Sequence, residues 1–427
     1  MSHSCETTFR SFPGSAWERT LPEALPQRAA GACKTVHYEA ESRHESHWEV
    51  LYFIIRRFSW APSWVAFISM TLLAGCQRAP TSASKGAAED PGSTAAVQSV
   101  SDPADVVREL EGVQAKVKRD GGGCIVEVDL RGTGGAAEVW SLVAQLPRVR
   151  SLLVGETPAT PDELARLGQI RTLRNLDLRA YTVNSTGLQQ LTPLTELRAL
   201  RLSGKNNSSL DGGGVDAILQ LANLKVLALD SLWVGAEELA QLQPLTNLEE
   251  LYLADTLVDD DALMVLAQFP HLKKLRIART HVGDVGLAHL TQLSQLEELD
   301  LSENAIITDA GLANLSSMTQ LTHLNLWRLA ITDEGISHLV PLVNLQWLNL
   351  DNTGLTDQGL RYLKGLRNLR YLHLGSTSMT DAGLVHLGNL TQLGDLKLTR
   401  TAVTAIGTAA LQEKLPDTKI QLEYLDE

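Results

Sequence analysis

Residues 345–366 read LQWLNLDNTGLTDQGLRYLKGL. Leu348 and Leu350 alternate with Trp347, Asn349 and Asp351, a period of two that predicts a short strand with leucines on one face and polar or aromatic side chains on the other. Leu360, Leu363 and Leu366 then fall at three-residue steps after Gly359, which predicts a helix. Neither half can bury its leucines alone. Copies stacked side by side can, and the same pair of apolar positions recurs at Val128, Leu152, Leu176, Leu200, Leu227, Leu251, Leu275, Leu299, Leu324, Leu348, Leu372, Leu396 and Ile420. The step is 24 residues except for 27 after Leu200 and 25 after Leu299. Both surpluses lie between a strand and the following helix, where a loop absorbs them without disturbing the core register.

The chain has 427 residues, 44% of them hydrophobic and 5% aromatic. A chain of this length would ordinarily hold about three domains, but a repeat array grows by adding units instead of cores. The formal charge is -13, from 50 acidic against 37 basic side chains, which argues against a nucleic-acid partner, since those surfaces carry a basic face. Four scattered cysteines, Cys5, Cys33, Cys76 and Cys124, make no disulfide framework and no CxxC pair.

The whole pattern, LxxLxLxxTxLTDxGLxxLxxL, resembles the leucine-rich repeat family over residues 124–427. Its 24-residue length and TDxGL motif are similar to the cysteine-containing, ribonuclease-inhibitor-like branch. The resemblance implies an α/β fold: a right-handed horseshoe or arc of about 13 units, with parallel strands on the concave face and helices on the convex face. The departure is a threonine (Thr256, Thr280, Thr353, Thr377, Thr401) where the family places Asn or Cys. Such hydroxyls facing inward are expected to satisfy backbone groups of the next unit. In TDxGL, Thr308, Thr332, Thr356 and Thr380 are placed as helix N-caps, with Asp309, Asp333, Asp357 and Asp381 in the first turn. The row formed by these acids and Asp284 lacks the Asp, Asn and Gly alternation of a calcium loop. A short amphipathic helix over Asp105 to Lys118 and a first strand over Ile125 to Leu130 are expected to cap the N-terminal end. A last strand at Ile420 to Leu422 closes the other.

The first hundred residues read differently. Residues 1–49 show no hydrophobic period and take no fold assignment. Residues 50–75 carry Arg56 and Arg57 ahead of an apolar run, which reads as an export signal. Leu73-Ala74-Gly75-Cys76 resembles the lipobox of bacterial lipoproteins, which implies a lipid on Cys76 and removal of everything before it. An uncleaved span from about Trp60 to Leu73 is the other reading of this run. A lipoprotein signal should start near its cysteine, so translation is expected to begin at a non-AUG codon near Val50 or Leu51. Residues 76–102, rich in Ala, Ser, Gly, Pro and Thr, form a flexible tether. Gln77, where related lipoproteins use Asp for inner-membrane retention, favours the outer membrane or cell surface. The repeat domain occupies 103–427, with caps at 103–130 and 416–427.

HExxH, GxSxG and GxxxxGK[ST] are absent, so no catalytic residue, cofactor or metal ligand is assigned. His289, His338 and His386 fall on outer helices and not in adjacent units. The informative positions are those between the inward leucines of three consecutive strands: His323, Asn325 and Trp327; Trp347, Asn349 and Asp351; Tyr371, His373 and Gly375. At ~4.8 Å per strand these stack into one patch. Rigid aromatics flanked by amides are what binding hot spots use, although rings can also pack along a sheet simply to stabilise it. Arg201, Tyr252, Lys274, Arg276, Glu298 and Asp300 make a mixed-charge surface upstream. The expectation is a non-catalytic, lipid-anchored extracytoplasmic protein in the cell envelope that recognises a protein or peptide through His323, Asn325, Trp327, Trp347, Asn349, Asp351, Tyr371 and His373. A structural envelope or polysaccharide-associated role is the alternative, and the repeats also resemble those of F-box substrate adaptors.

Overall fold

The computed structural model describes residues 101–133, 139–155 and 161–423. The expected signal, the lipobox-like stretch and most of the expected tether lie outside these residues. Within them, a sheet of fourteen strands runs in strict sequence order. Thirteen strands pair in parallel, and their central residues align in one row: Val128 with Leu152, Leu152 with Leu176, and onward through Leu324, Leu348, Leu372 and Leu396 to Ile420. From Val128 to Leu396 every member of that row is at most 3% exposed, while Ile420, at the end of the stack, is half-buried. The row of residues picked out by the sequence period is thus the core row.

Short helices such as Asp309–Leu315 and Asp357–Leu363 return the chain across the back of the sheet. Both surplus segments lie where a loop can hold them: the three extra residues after Leu200 include a single 3-10 turn at Gly204–Asn206, and the extra residue after Leu299 precedes Asp309–Leu315. Adjacent strands sit ~4.8 Å apart but packed helices need 8–10 Å, so the stack bends with the sheet on its inner side.

Each strand from Glu250–Tyr252 to Asp395–Lys397 leaves for its helix through a residue in the left-handed region. Asp255, Arg279, Glu303, Arg328, Asn352, Ser376 and Arg400 all have φ between 51° and 61°, a conformation that costs non-glycine residues energy unless the surroundings hold it. The hold comes from hydrogen bonds. The amide of Asn352 donates to the Gly375 carbonyl of the next unit at 2.9 Å, and that of Arg328 to Asp351 at 3.0 Å. The threonine that follows donates its hydroxyl backward. Thr353 Oγ1 reaches the Leu350 carbonyl at 2.8 Å, and Thr256, Thr377 and Thr401 do the same to the carbonyl three residues earlier. The expectation that these hydroxyls serve the next unit is therefore corrected: three residues is the reach of a hydroxyl within one turn. The bridge between units at this level occurs where the family's asparagine is present. Asn304 donates to the carbonyls of Ile277 and Leu301 and accepts from the Thr280 amide at 2.7 Å.

The TDxGL motif is a clamp between units as well as a cap. Thr332 accepts from the Glu334 amide as an N-cap. It also donates both its amide (2.7 Å) and its hydroxyl (2.6 Å) to the two oxygens of Asp309 in the preceding unit. The pairs Thr308 on Asp284, Thr356 on Asp333, Thr380 on Asp357 and Thr404 on Asp381 repeat this. The glycine of the motif follows from it: a Cβ on Gly335 or Gly359 would run into the carboxylate of Asp309 or Asp333. The acidic row is thereby committed to the protein's own donors.

The N-terminal cap differs from the expected helix over Asp105 to Lys118. The helix spans Ala104–Gly112 and ends at Gln114, which is left-handed at φ 59°. Lys116–Arg119 then forms an edge strand antiparallel to Ile125–Asp129. Alternating Lys116, Val117, Lys118 and Arg119 suits an edge, because the charges keep other strands from adding there.

Candidate functional site

Three positions per unit face outward on the sheet side: the first and third residues of each strand, and the residue two past the strand end. In the first of these rows, His323, Trp347 and Tyr371 are directly paired across adjacent strands. Trp347 and Tyr371 stack with ring centres 5.1 Å apart and planes within 4°, and His323 lies over Trp347 at 6.5 Å and 22°. Lys397 Nζ stands 5.8 Å from the Tyr371 ring centre. The rings are half-buried, each covering its neighbour and leaving an edge to solvent.

In the third-residue row, Asn325 and Asn349 use their side-chain oxygens to accept from the amides two residues on, Trp327 at 3.2 Å and Asp351 at 3.0 Å. Asp300, Asp177 and Asp129 make the same local bond to Ser302, Arg179 and Arg131. An Asx residue at this position is thus a brace that turns the chain out of the strand, a role the sequence reading of the two asparagines as contact residues missed. The recurrence of Asp or Asn at one repeat position was the available signal.

Trp327 stands apart from the stack, on the outermost row, with the Arg328 guanidinium 5.5 Å from its ring centre. Its row neighbour Asp351 is 8% exposed, and Asp351 Oδ1 accepts no hydrogen bond. Burial lowers the pKa of His373, opposed by the Asp351 charge and aided by Lys397; burial raises that of Tyr371, with Asp395 and Asp351 adding to it.

Upstream, the same sheet positions are occupied by charges that neutralise one another. Lys274 Nζ lies 3.1 Å from Glu298 and 3.7 Å from Glu250, and Arg276 lies 3.4 Å from Asp300 and 3.9 Å from Asp230. Burial works against the Lys274 charge, but the Glu298 hydrogen bond and the nearby carboxylates outweigh it and raise its pKa. Tyr252 donates to Glu250 at 2.8 Å; burial and that carboxylate push its pKa up. A cavity of about 260 Å³ lies between Tyr252 and Trp347, floored by Leu275, Leu299 and Leu324. It joins the charged half to the ring stack.

His289, His338 and His386 lie half-buried on the outer side, on Asp284–Leu290, next to Asp333–Ser337 and on Gly383–Leu387. Among the described residues no group of three or more His, Cys, Asp or Glu side chains is arranged to hold a metal ion, and no helix is long and apolar enough to cross a membrane.

The model of the family described as "Leucine Rich repeat" matches residues 270–290, 292–316 and 365–388. The fold is a leucine-rich repeat solenoid. An internalin from Listeria monocytogenes is similar, at 20% identity over 76% of this chain and 95% of that one, with a TM-score of 0.50. Internalin C2 from the same organism is 24% identical over 44% of this chain and 84% of its own, TM-score 0.37. A plant peptide hormone receptor, RGFR1, in complex with RGF2 is 14% identical over 72% and 59%, TM-score 0.39. Among curated proteins none matches this chain. In leucine-rich repeat terms, the ring stack occupies the outward strand positions of three consecutive repeats.

Proposed function

We propose that the protein is a lipid-anchored, extracytoplasmic recognition protein, with no catalysis of its own, that binds a protein or peptide on the sheet side of its solenoid. The observation that carries this reading is the stack of His323, Trp347 and Tyr371. Three large rings with edges in solvent add little to a core already filled by leucines, whereas they offer a rigid apolar contact area of low conformational entropy to a partner. Asn325, Trp327, Asn349, Asp351 and His373 frame the stack. The repeats fit the 24-residue, ribonuclease-inhibitor-like type, with threonine in place of its asparagine or cysteine. The same planar rings also suit the faces of sugars, which keeps a polysaccharide-associated envelope role as the second reading.

Anchoring rests on Leu73-Ala74-Gly75-Cys76 and on the unpatterned stretch after it. Acyl chains on Cys76 would contribute ~0.8 kcal/mol per buried methylene, enough together for a durable hold. The tether would then carry the solenoid clear of the lipid surface. The test of recognition is crosslinking in cells of wild type and of Trp327→Ala with Trp347→Ala: the double variant should lose the crosslinked partner, and an unchanged set of partners would end the proposal. Labelling with a palmitate analogue should mark wild type and spare Cys76→Ala.

A further inference from the structure

The rim of the ring stack holds an unbalanced group. Asp351, Gly375 and Thr399 occupy the same repeat position in consecutive units. Asp351 is 8% exposed and Thr399 2% exposed, and neither Asp351 Oδ1 nor Thr399 Oγ1 has a hydrogen-bond partner. The missing side chain at Gly375 draws them together: the place a Cβ would take there is 2.9 Å from Asp351 Oδ1, 2.8 Å from Thr399 Oγ1 and 2.9 Å from His373 Nε2. Three polar side chains thus converge over one glycine without bonding to one another. A buried carboxylate oxygen without a partner is costly, and a cation at its side would offset that cost.

The surroundings favour a cation. On the outward positions of the strands His323–Asn325 to Asp395–Lys397 and the residue two past each, the charges are Asp351, Asp395 and Lys397, a net of -1 with histidines neutral. Arg328 beside Trp327 is already paired with Glu303 at 3.1 Å, and among the described residues no carboxylate lies within ion-pair distance of Lys397. Trp327, next in the row to Asp351, already holds the Arg328 guanidinium 5.5 Å from its ring centre, which marks the ring as one that attracts cations. His373 Nε2 stands over the same glycine, so a cation seated there requires the ring to turn to another rotamer.

We propose that Asp351 receives a cationic side chain, lysine or arginine, from an extended peptide lying along the ring stack, with the charged nitrogen seated between Trp327 and Thr399 over Gly375. This rests on the reading of the sheet side as a peptide-binding surface. A hydrogen-bonded charge pair in such a site should favour the cation by about tenfold or more over a neutral side chain of the same length.

The test uses the full chain labelled with 5-fluorotryptophan and observed by fluorine NMR, with Trp327, Trp347 and Trp233 assigned by single replacements with Phe. The probes are acetyl-Gly-Lys-Gly-amide and acetyl-Gly-Arg-Gly-amide, against the norleucine and citrulline equivalents. The cationic probes should shift the Trp327 signal saturably, at least tenfold more tightly than the neutral ones, and leave Trp233 unmoved. Asp351→Asn should abolish the preference. Gly375→Ala, which fills the niche while keeping the carboxylate, should abolish it too and guards against a folding defect in the first variant. Equal binding of neutral and cationic probes, or a preference that survives both replacements, overturns the proposal. A displayed random-peptide library selected on wild type and counter-selected on Trp347→Ala separates the two readings. Trp347-dependent peptides without basic residues would remove the cation and keep the surface; absence of any Trp347-dependent peptide would remove both.

Discussion

Two stretches of one sheet share a backbone and differ in what they do with it. From Asp230 to Asp300 the outward positions carry Lys274 and Arg276 between four carboxylates, each cation set between two of them. From His323 to His373 the same positions carry stacked rings, two bracing asparagines and a buried carboxylate with an unused oxygen. The first surface is satisfied by itself. The second leaves ring edges and a charge to be satisfied by something else. In a solenoid the inward leucines fix the frame and the outward residues are free to differ, so the contrast supports the proposal that recognition sits on the second stretch, without any change of fold.

The largest effect should be blind to that contrast. Leu275→Ala and Leu348→Ala each open a hole in the shared core, where the residues are 2% and 0% exposed, and each should cost about 2–5 kcal/mol in urea unfolding. A cost confined to one of them would mean that the halves do not share one core. Next comes the clamp between units. Gly359→Ala drives a methyl into the Asp333 carboxylate, and Asp333→Ala removes both bonds to Thr356. Each alone should cost about 1–3 kcal/mol, and the pair should cost clearly less than the sum in a double-mutant cycle, because the alanine at 333 removes the carboxylate the methyl meets and leaves only the end of the Leu355 side chain to give way. Additive losses would contradict the clamp.

The smallest effects sharpen the contrast itself. Lys274→Ala breaks partly exposed ion pairs and should cost about 0–1 kcal/mol, fading as salt is raised. Trp347→Ala loses two ring contacts and should cost about 0.5–1.5 kcal/mol beyond its buried area, with no salt dependence. His373 marks the second half by pH. Burial holds its pKa below the ordinary 6.5, so the unfolded chain takes up the proton first and stability falls as pH drops below about 6.5. His373→Asn should flatten that limb of a melting-temperature profile, and an unchanged profile would show that His373 is not buried as described.

Much of this was legible in the sequence, for a reason that also sets its limit. A period of 24 residues constrains every unit at once, so the leucine row and both insertions could be read directly, and the period of two within a strand placed His323, Trp347 and Tyr371 on one face. Contacts that depend on a turn's geometry could not be read that way. The threonine hydroxyls point back because the preceding residue is left-handed, and the helix after Pro103 stops at Gln114 for the same kind of reason. The aspartate of TDxGL looked like a local cap, since its partner threonine lies 23 or 24 residues away. The burial of Asp351 depends on what Gly375 lacks, which no pattern of side chains displays.

The most direct test sets the two halves against each other in the cell. A photo-crosslinking phenylalanine derivative at position 349, beside the rings, and another at position 276, among the ion pairs, would report what touches each surface. Strong crosslinks to a protein or peptide from 349 with few or none from 276 are the predicted result; no crosslinks from 349, or equal capture from both, would contradict the assignment of recognition to the ring-bearing half.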